Sequence, residues 1–130
     1  MGVTLDRVTE IARSLPGTEE VEHREARTWR VGEKTFAWER MFSKADLRRF
    51  GDEPAPAYPI VAVRVADLAE KEAVLAEQRP GFFTIPHFNG YAPVLIELRR
   101  ARVAQVREAL TDGWLVYARQ ELIDQWRMGR

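Results

Sequence analysis

The chain of 130 residues has no cysteine, which excludes disulfides, thiolate metal sites and a cysteine nucleophile. Histidine is nearly as scarce, with His23 and His87 the only two. A metal site would need them together with carboxylates, and strand alternation lets only Glu19 and Val21 share the side of His23. No metal and no cofactor are therefore expected. An excess of one charge is missing as well, since twenty Lys and Arg face twenty Asp and Glu. A protein held to DNA chiefly through phosphates carries a basic surplus on at least one face. Neutrality thus argues against strong nucleic-acid binding unless the charges sort in space. No run approaches the roughly 18 apolar residues of a membrane span. The start, Met1-Gly2-Val3-Thr4-Leu5-Asp6-Arg7, does not read as a signal peptide, because an acid arrives early and no apolar stretch follows. A cytoplasmic protein with no membrane association is the expectation.

Catalytic motifs are missing too. Gly32-Glu33-Lys34-Thr35 resembles the end of a phosphate-binding loop only superficially: Glu33 separates the glycine from the lysine, and no glycine lies five residues before Gly32. There is no glycine-rich dinucleotide fingerprint. Ser14 and Ser43 sit in ordinary helix-capping contexts, outside any nucleophile elbow. Two carboxylates for acid–base work can always be picked from twenty, so that signal carries nothing. The chain is expected to be a binding protein and not an enzyme.

What is present is an ordinary globular composition with four tryptophans and six phenylalanines to fill a core. The length fits one domain over residues 1–130. Thr4 caps a helix whose stripe is Leu5, Val8, Ile11, Ala12 and Leu15, ended by Pro16-Gly17. Strands are expected over Thr18 to Arg24, Thr28 to Val31 and Lys34 to Met41, with Gly32-Glu33 as a two-residue hairpin turn. In the third strand, alternation places Phe36 and Trp38 on one side and Thr35, Ala37 and Glu39 on the other. Residues 43–50 make one or two helical turns, and 51–59 form a loop with three prolines. Ile60 to Val65 is β-branched and reads as a central strand. Asp67 and Glu70 form a capping box before a helix that Pro80-Gly81 ends. Two more strands follow, Phe82 to Ile85 and Pro93 to Leu98. The last third is helical, with Trp114, Ala118, Leu122 and Trp126 four apart, and Gly113 is expected to bend or divide it. This order gives an α+β fold, an antiparallel sheet with helices packed on one face. There is no internal repeat.

Pro80-Gly81-Phe82-Phe83-Thr84-Ile85-Pro86-His87-Phe88-Asn89-Gly90-Tyr91, followed by Val94-Leu95-Ile96-Glu97-Leu98, resembles the hallmark stretch of the MmcQ/YjbR family. Leu15-Pro16-Gly17-Thr18-Glu19-Glu20, the segment from Trp29 to Trp38 and the segment from Val63 to Glu72 resemble three further family features in the right order. The resemblance implies a CyaY-like (frataxin-like) two-layer α+β sandwich. It also implies DNA binding, weak and largely sequence-independent. Where relatives often carry a proline after the tryptophan-containing turn, this chain has Arg119-Gln120. The frataxin comparison suggests iron on an acidic first helix, but Asp6 and Glu10 are interleaved with Arg7 and Arg13, so iron is not carried over.

Three binding readings stand side by side. From Glu22 to Arg49, eight basic residues (Arg24, Arg27, Arg30, Lys34, Arg40, Lys44, Arg48, Arg49) face five acids, an excess of three. If they share a surface they can follow a phosphate backbone, with Trp29 or Trp38 stacking on exposed bases. Otherwise they are solvated strand and loop charges, and Trp38 and Phe36 belong to the core. A second reading is a protein-interaction or regulatory adaptor, using an exposed sheet face or the proline-rich loop. The third is a small-ligand pocket around His87, Asn89 and Tyr91, although Asn89-Gly90 is also a good turn. The partners expected are DNA or another protein, and the chain is expected as a monomer or weak homodimer.

Overall fold

The computed structural model describes residues 2–51, 55–85, 88 and 90–129. In chain order the elements are α1 (Leu5–Arg13), β1 (Thr18–His23), β2 (Ala26–Val31), β3 (Lys34–Glu39), α2 (Lys44–Arg49), β4 (Ile60–Val63), α3 (Leu68–Ala76), β5 (Phe82–Phe83), β6 (Val94–Glu97), α4 (Val103–Tyr117) and α5 (Gln120–Met128). The six strands form one sheet in the order β1-β2-β3-β4-β6-β5, with every neighbouring pair antiparallel. The α+β expectation holds, and strand ends lie within a few residues of their expected places.

One face of the sheet is covered by α1 and α4. Val8, Ile11, Ala12 and Leu15 meet Trp29, Val31, Val61, Val63 and Ile96, and Val106, Leu110 and Trp114 of α4 complete that core. Trp114 is fully buried, and its indole N–H donates to the Pro16 carbonyl at 2.9 Å, so its polar end is satisfied as its ring is removed from water. α5 closes the end of this layer, with the Trp126 ring 5.7 Å from that of Trp114. Among the described residues the opposite face is covered over β4, β6 and β5, where Phe42, Phe50 and Phe83 lie against Ile60, Ala62, Leu95 and Phe88. Ser43 and Asp46 form a full capping box that starts α2. Over β1 and β2 no described element covers this second face, and on β3 Trp38 packs at the edge of the covered part.

Two expectations are corrected. Phe36 and Trp38 do not face the same way: the β2–β3 register jumps between Trp29 and Arg30, so Trp29 pairs with Ala37 but Arg30 pairs with Thr35. This bulge makes Phe36 the extra residue. Phe36 and Ala37 both go to the helix-covered core, and Trp38 turns to the other face. Nor does Gly113 divide the last third. It lies inside an unbroken α4 because the helix passes so close to the sheet that a Cβ there would meet the Arg64 carbonyl at 3.0 Å. The break falls instead at Ala118 and Arg119, both in extended conformation (ψ 135° and 157°). That is where a proline was missed, and no proline is needed to make it.

Candidate nucleic-acid interface

Residues on the β1–β2–β3 half of the sheet separate by strand parity. Opposed pairs share a face, so Glu20 with Trp29 looks toward α1, while Glu19 with Arg30, Val21 with Thr28 and Thr28 with Trp38 look out. The basic side chains are divided accordingly. Arg27 lies under α1, with Nε 3.3 Å from Glu20 Oε2 and Nη1 3.2 Å from Asp6 Oδ1, and it also donates to the Thr9 hydroxyl. Arg30 is on the open face, bound to Glu19 at 2.6 Å. Arg40 and Arg49 both converge on the buried Asp46, at 2.9 and 3.3 Å. Burial opposes ionisation of Asp46, but hydrogen bonds from Ser43 and Arg40 and the Arg40 charge hold its carboxyl below the ordinary 3.8.

Arg24, Lys34, Lys44 and Arg48 are exposed and make no ion pair among the described residues. Two of them stand at opposite ends of the hairpin. Arg24 sits in the β1–β2 turn, next to the His23–Ala26 pair, whereas Lys34 sits at the Val31 end of β2. Five residues of strand separate those ends by about 17 Å. Trp29 is corrected outright: it is fully buried, and its indole N–H donates to Glu20 at 2.9 Å, so it stacks on nothing in solvent. The expected surface therefore loses Trp29 to the core, and Arg27, Arg30, Arg40 and Arg49 are held in ion pairs.

A different constellation is. On the open face, Trp38, Tyr91 and Tyr117 border a hollow of about 380 Å³ that is also lined by Arg30, Arg64 and His23. The Trp38 and Tyr91 rings are 6.5 Å apart and inclined at 46°. The Arg64 guanidinium lies over Tyr117 at 5.8 Å, and its buried Nε has no hydrogen-bond partner. Arg64 makes no ion pair either among the described residues. Sequence reading missed it, though the signal was there: a lone cation interrupts the apolar run from Ile60 to Val65. Tyr117 carried no such signal, because its place at the mouth depends on where α4 ends.

Of the residues expected to hold a small ligand, His87 and Asn89 lie outside the described residues. Tyr91 is 43% exposed and belongs to the rim of the hollow. It is anchored from α3. The buried Lys71 ammonium donates to the carbonyls of Phe88 and Tyr91 at 2.8 and 2.6 Å, and burial lowers the Lys71 pKa from its ordinary 10.5. The substitution Lys71→Met is expected to cost about 1 kcal/mol by removing these donors. It should also speed hydrogen exchange at the Tyr91 amide, which bonds to Phe88 O, while leaving the β2 amides unchanged. Unaltered exchange at Tyr91 would show that Lys71 does not position the rim.

Among the described residues no group of three or more His, Asp or Glu side chains is placed to hold a metal ion, and no helix is long and apolar enough to cross a membrane. The fold and the open aromatic face together define an α+β protein with an antiparallel sheet clad in helices on one side. Residues 13–116 match the YjbR family, and the chain belongs to it. It is 42% identical over 124 residues to an uncharacterised protein of Mycobacterium bovis and to uncharacterised proteins of two Mycobacterium tuberculosis strains, with 92% of each chain covered.

Proposed function

We propose that the protein binds single-stranded nucleic acid, weakly and with little sequence preference, on the open face of its sheet, with no catalytic step. The observation that supports this most is the company Trp38 keeps: two tyrosines border the same hollow, and an arginine with no carboxylate partner among the described residues lines it. Bases offer a π-face to such rings whatever their identity, and arginine draws the phosphates that link them. The scattered hairpin cations argue against a duplex lying along that edge, since Arg24 and Lys34 occupy opposite ends of β2.

Fluorescence anisotropy with a short labelled oligothymidylate tests this. Binding should weaken as salt rises, with a log–log slope of about −0.7 per phosphate contacted. Trp38→Ala should weaken it about tenfold, the loss of roughly one stacked base, and Arg64→Met should flatten the salt dependence. Equal affinity for a mononucleotide and the oligonucleotide would turn the reading into a small-ligand pocket. No binding at low salt, or a stronger response to duplex, would end it.

A further inference from the structure

On the side of the sheet away from the open face the fold leaves a second cavity. It measures about 350 Å³ and is walled by α3 and α4, with Val65, Val74, Val94 and Leu115 as an apolar floor. Its volume falls in the range of small-molecule sites. Its rim has the opposite character to the open face. Glu70, Glu77, Glu108 and Asp112 line it against one base, Arg79. That base is already committed, since its Nε donates to Glu77 and its Nη2 to Glu108 at 3.1 Å. Among the described residues Glu70 and Asp112 have no ion pair and no side-chain hydrogen bond; both are exposed, and they line the cavity from two different helices.

We propose that this cleft binds a small organic cation, a primary or secondary amine carried on an apolar body, with the ammonium between Glu70 and Asp112 and the body on the valine and leucine floor. The occupant is chosen by charge: an anion meets three surplus negative charges if all four acids are ionised, and a neutral apolar molecule leaves both carboxylates unanswered. The electrostatics of Asp112 agree. Its pKa is raised from 3.8 by burial first, then by the carboxylates of Glu108 on its own helix and Glu70 on α3, with Arg79 opposing. A cation placed there relieves that repulsion and favours the ionised form. Amine affinity should therefore rise with pH as Asp112, whose pKa is raised above 3.8, becomes ionised.

Calorimetric titration of the full chain with hexylamine, benzylamine and 1-hexanol makes the test. Both amines should bind and hexanol should not. The pair of substitutions Glu70→Gln and Asp112→Asn should weaken amine binding by about tenfold or more. These variants should fold, because a raised folded-state pKa makes ionised Asp112 a cost to stability at neutral pH that the amide removes. Trp38→Ala should leave amine binding intact, so failure of the open-face reading and failure of this one are separable. Absence of heat with either amine, equal binding of hexanol, or undiminished affinity in the double variant would overturn the proposal.

Discussion

Glu20→Ala is expected to destabilise the protein by about 3 kcal/mol, lowering the melting temperature by roughly 10 °C. The carboxylate is the hub between α1 and the first hairpin. Its Oε1 accepts from the Thr9 hydroxyl at 2.6 Å and from the Trp29 indole at 2.9 Å, and its Oε2 accepts from Arg27 at 3.3 Å. Removing it leaves the N–H of a fully buried tryptophan with no partner, a loss of about 1–3 kcal/mol alone. The half-buried Arg27 guanidinium loses one of its two carboxylates as well. Glu22→Ala, on the same face of β1 but exposed and unpartnered, should fall within about 0.5 kcal/mol of the parent.

The same hub predicts acid sensitivity. Burial pushes the Glu20 carboxyl up, but hydrogen bonds from Thr9, Arg27 and Trp29 and the Arg27 charge together bring it below its ordinary 4.5. A depressed carboxylate contributes stability that is complete above the unfolded value and disappears as pH falls through the folded one. Glu20→Gln keeps an acceptor for Trp29 but cannot titrate. Between about pH 5 and 3 its urea midpoint should fall less than that of the parent, and parallel losses would refute the assignment.

Much of the framework was legible because it depends on neighbours in sequence. The Thr4 cap accepts from the Arg7 amide at 3.1 Å as expected. Gly32 and Glu33 both take positive φ (57° and 68°), as a two-residue hairpin turn requires. The four residues of β4 are all buried, in keeping with a central strand. What escaped the sequence depends on partners distant in it. The bulge that sends Phe36 and Trp38 to opposite faces exists only as a mismatch between two strands. The β1–β2 turn at Arg24 and Glu25 has positive φ at both positions without a glycine to announce it. The candidate surface was overcounted for a related reason: counting charge from Glu22 to Arg49 ignores that Asp6, Glu19 and Glu20, outside that window, neutralise Arg27 and Arg30. Trp38 was legible as a stacking candidate beside a core reading, but its companions Arg64 and Tyr117 reach the hollow from the end of β4 and from α4, which no local pattern could indicate.

Gly81→Ala should destabilise by about 3 kcal/mol, although the change adds a single methyl group. Gly81 leads into β5 with φ +86°, a conformation that costs a residue with a Cβ about 1–2 kcal/mol. The second contribution is steric. A Cβ there would stand 2.5 Å from the Glu97 carbonyl oxygen and 3.2 Å from the Ala101 amide nitrogen, and these are backbone atoms that cannot swing away. Nor can the chain at Gly81 retreat freely, because its own carbonyl accepts from the Glu97 amide at 2.7 Å. Relief requires β5 to separate from the end of β6, which would draw Phe82 out of the two clusters it packs against. Gly32 supplies the internal control: its φ is +57°, but nothing lies within 4 Å of its Cβ position, so Gly32→Ala should cost only about 1 kcal/mol. Urea unfolding of the two alanine variants separates backbone conformation from crowding. Equal losses would show that φ alone sets the requirement, and that the contact between Gly81 and Glu97 does not hold β5 in place.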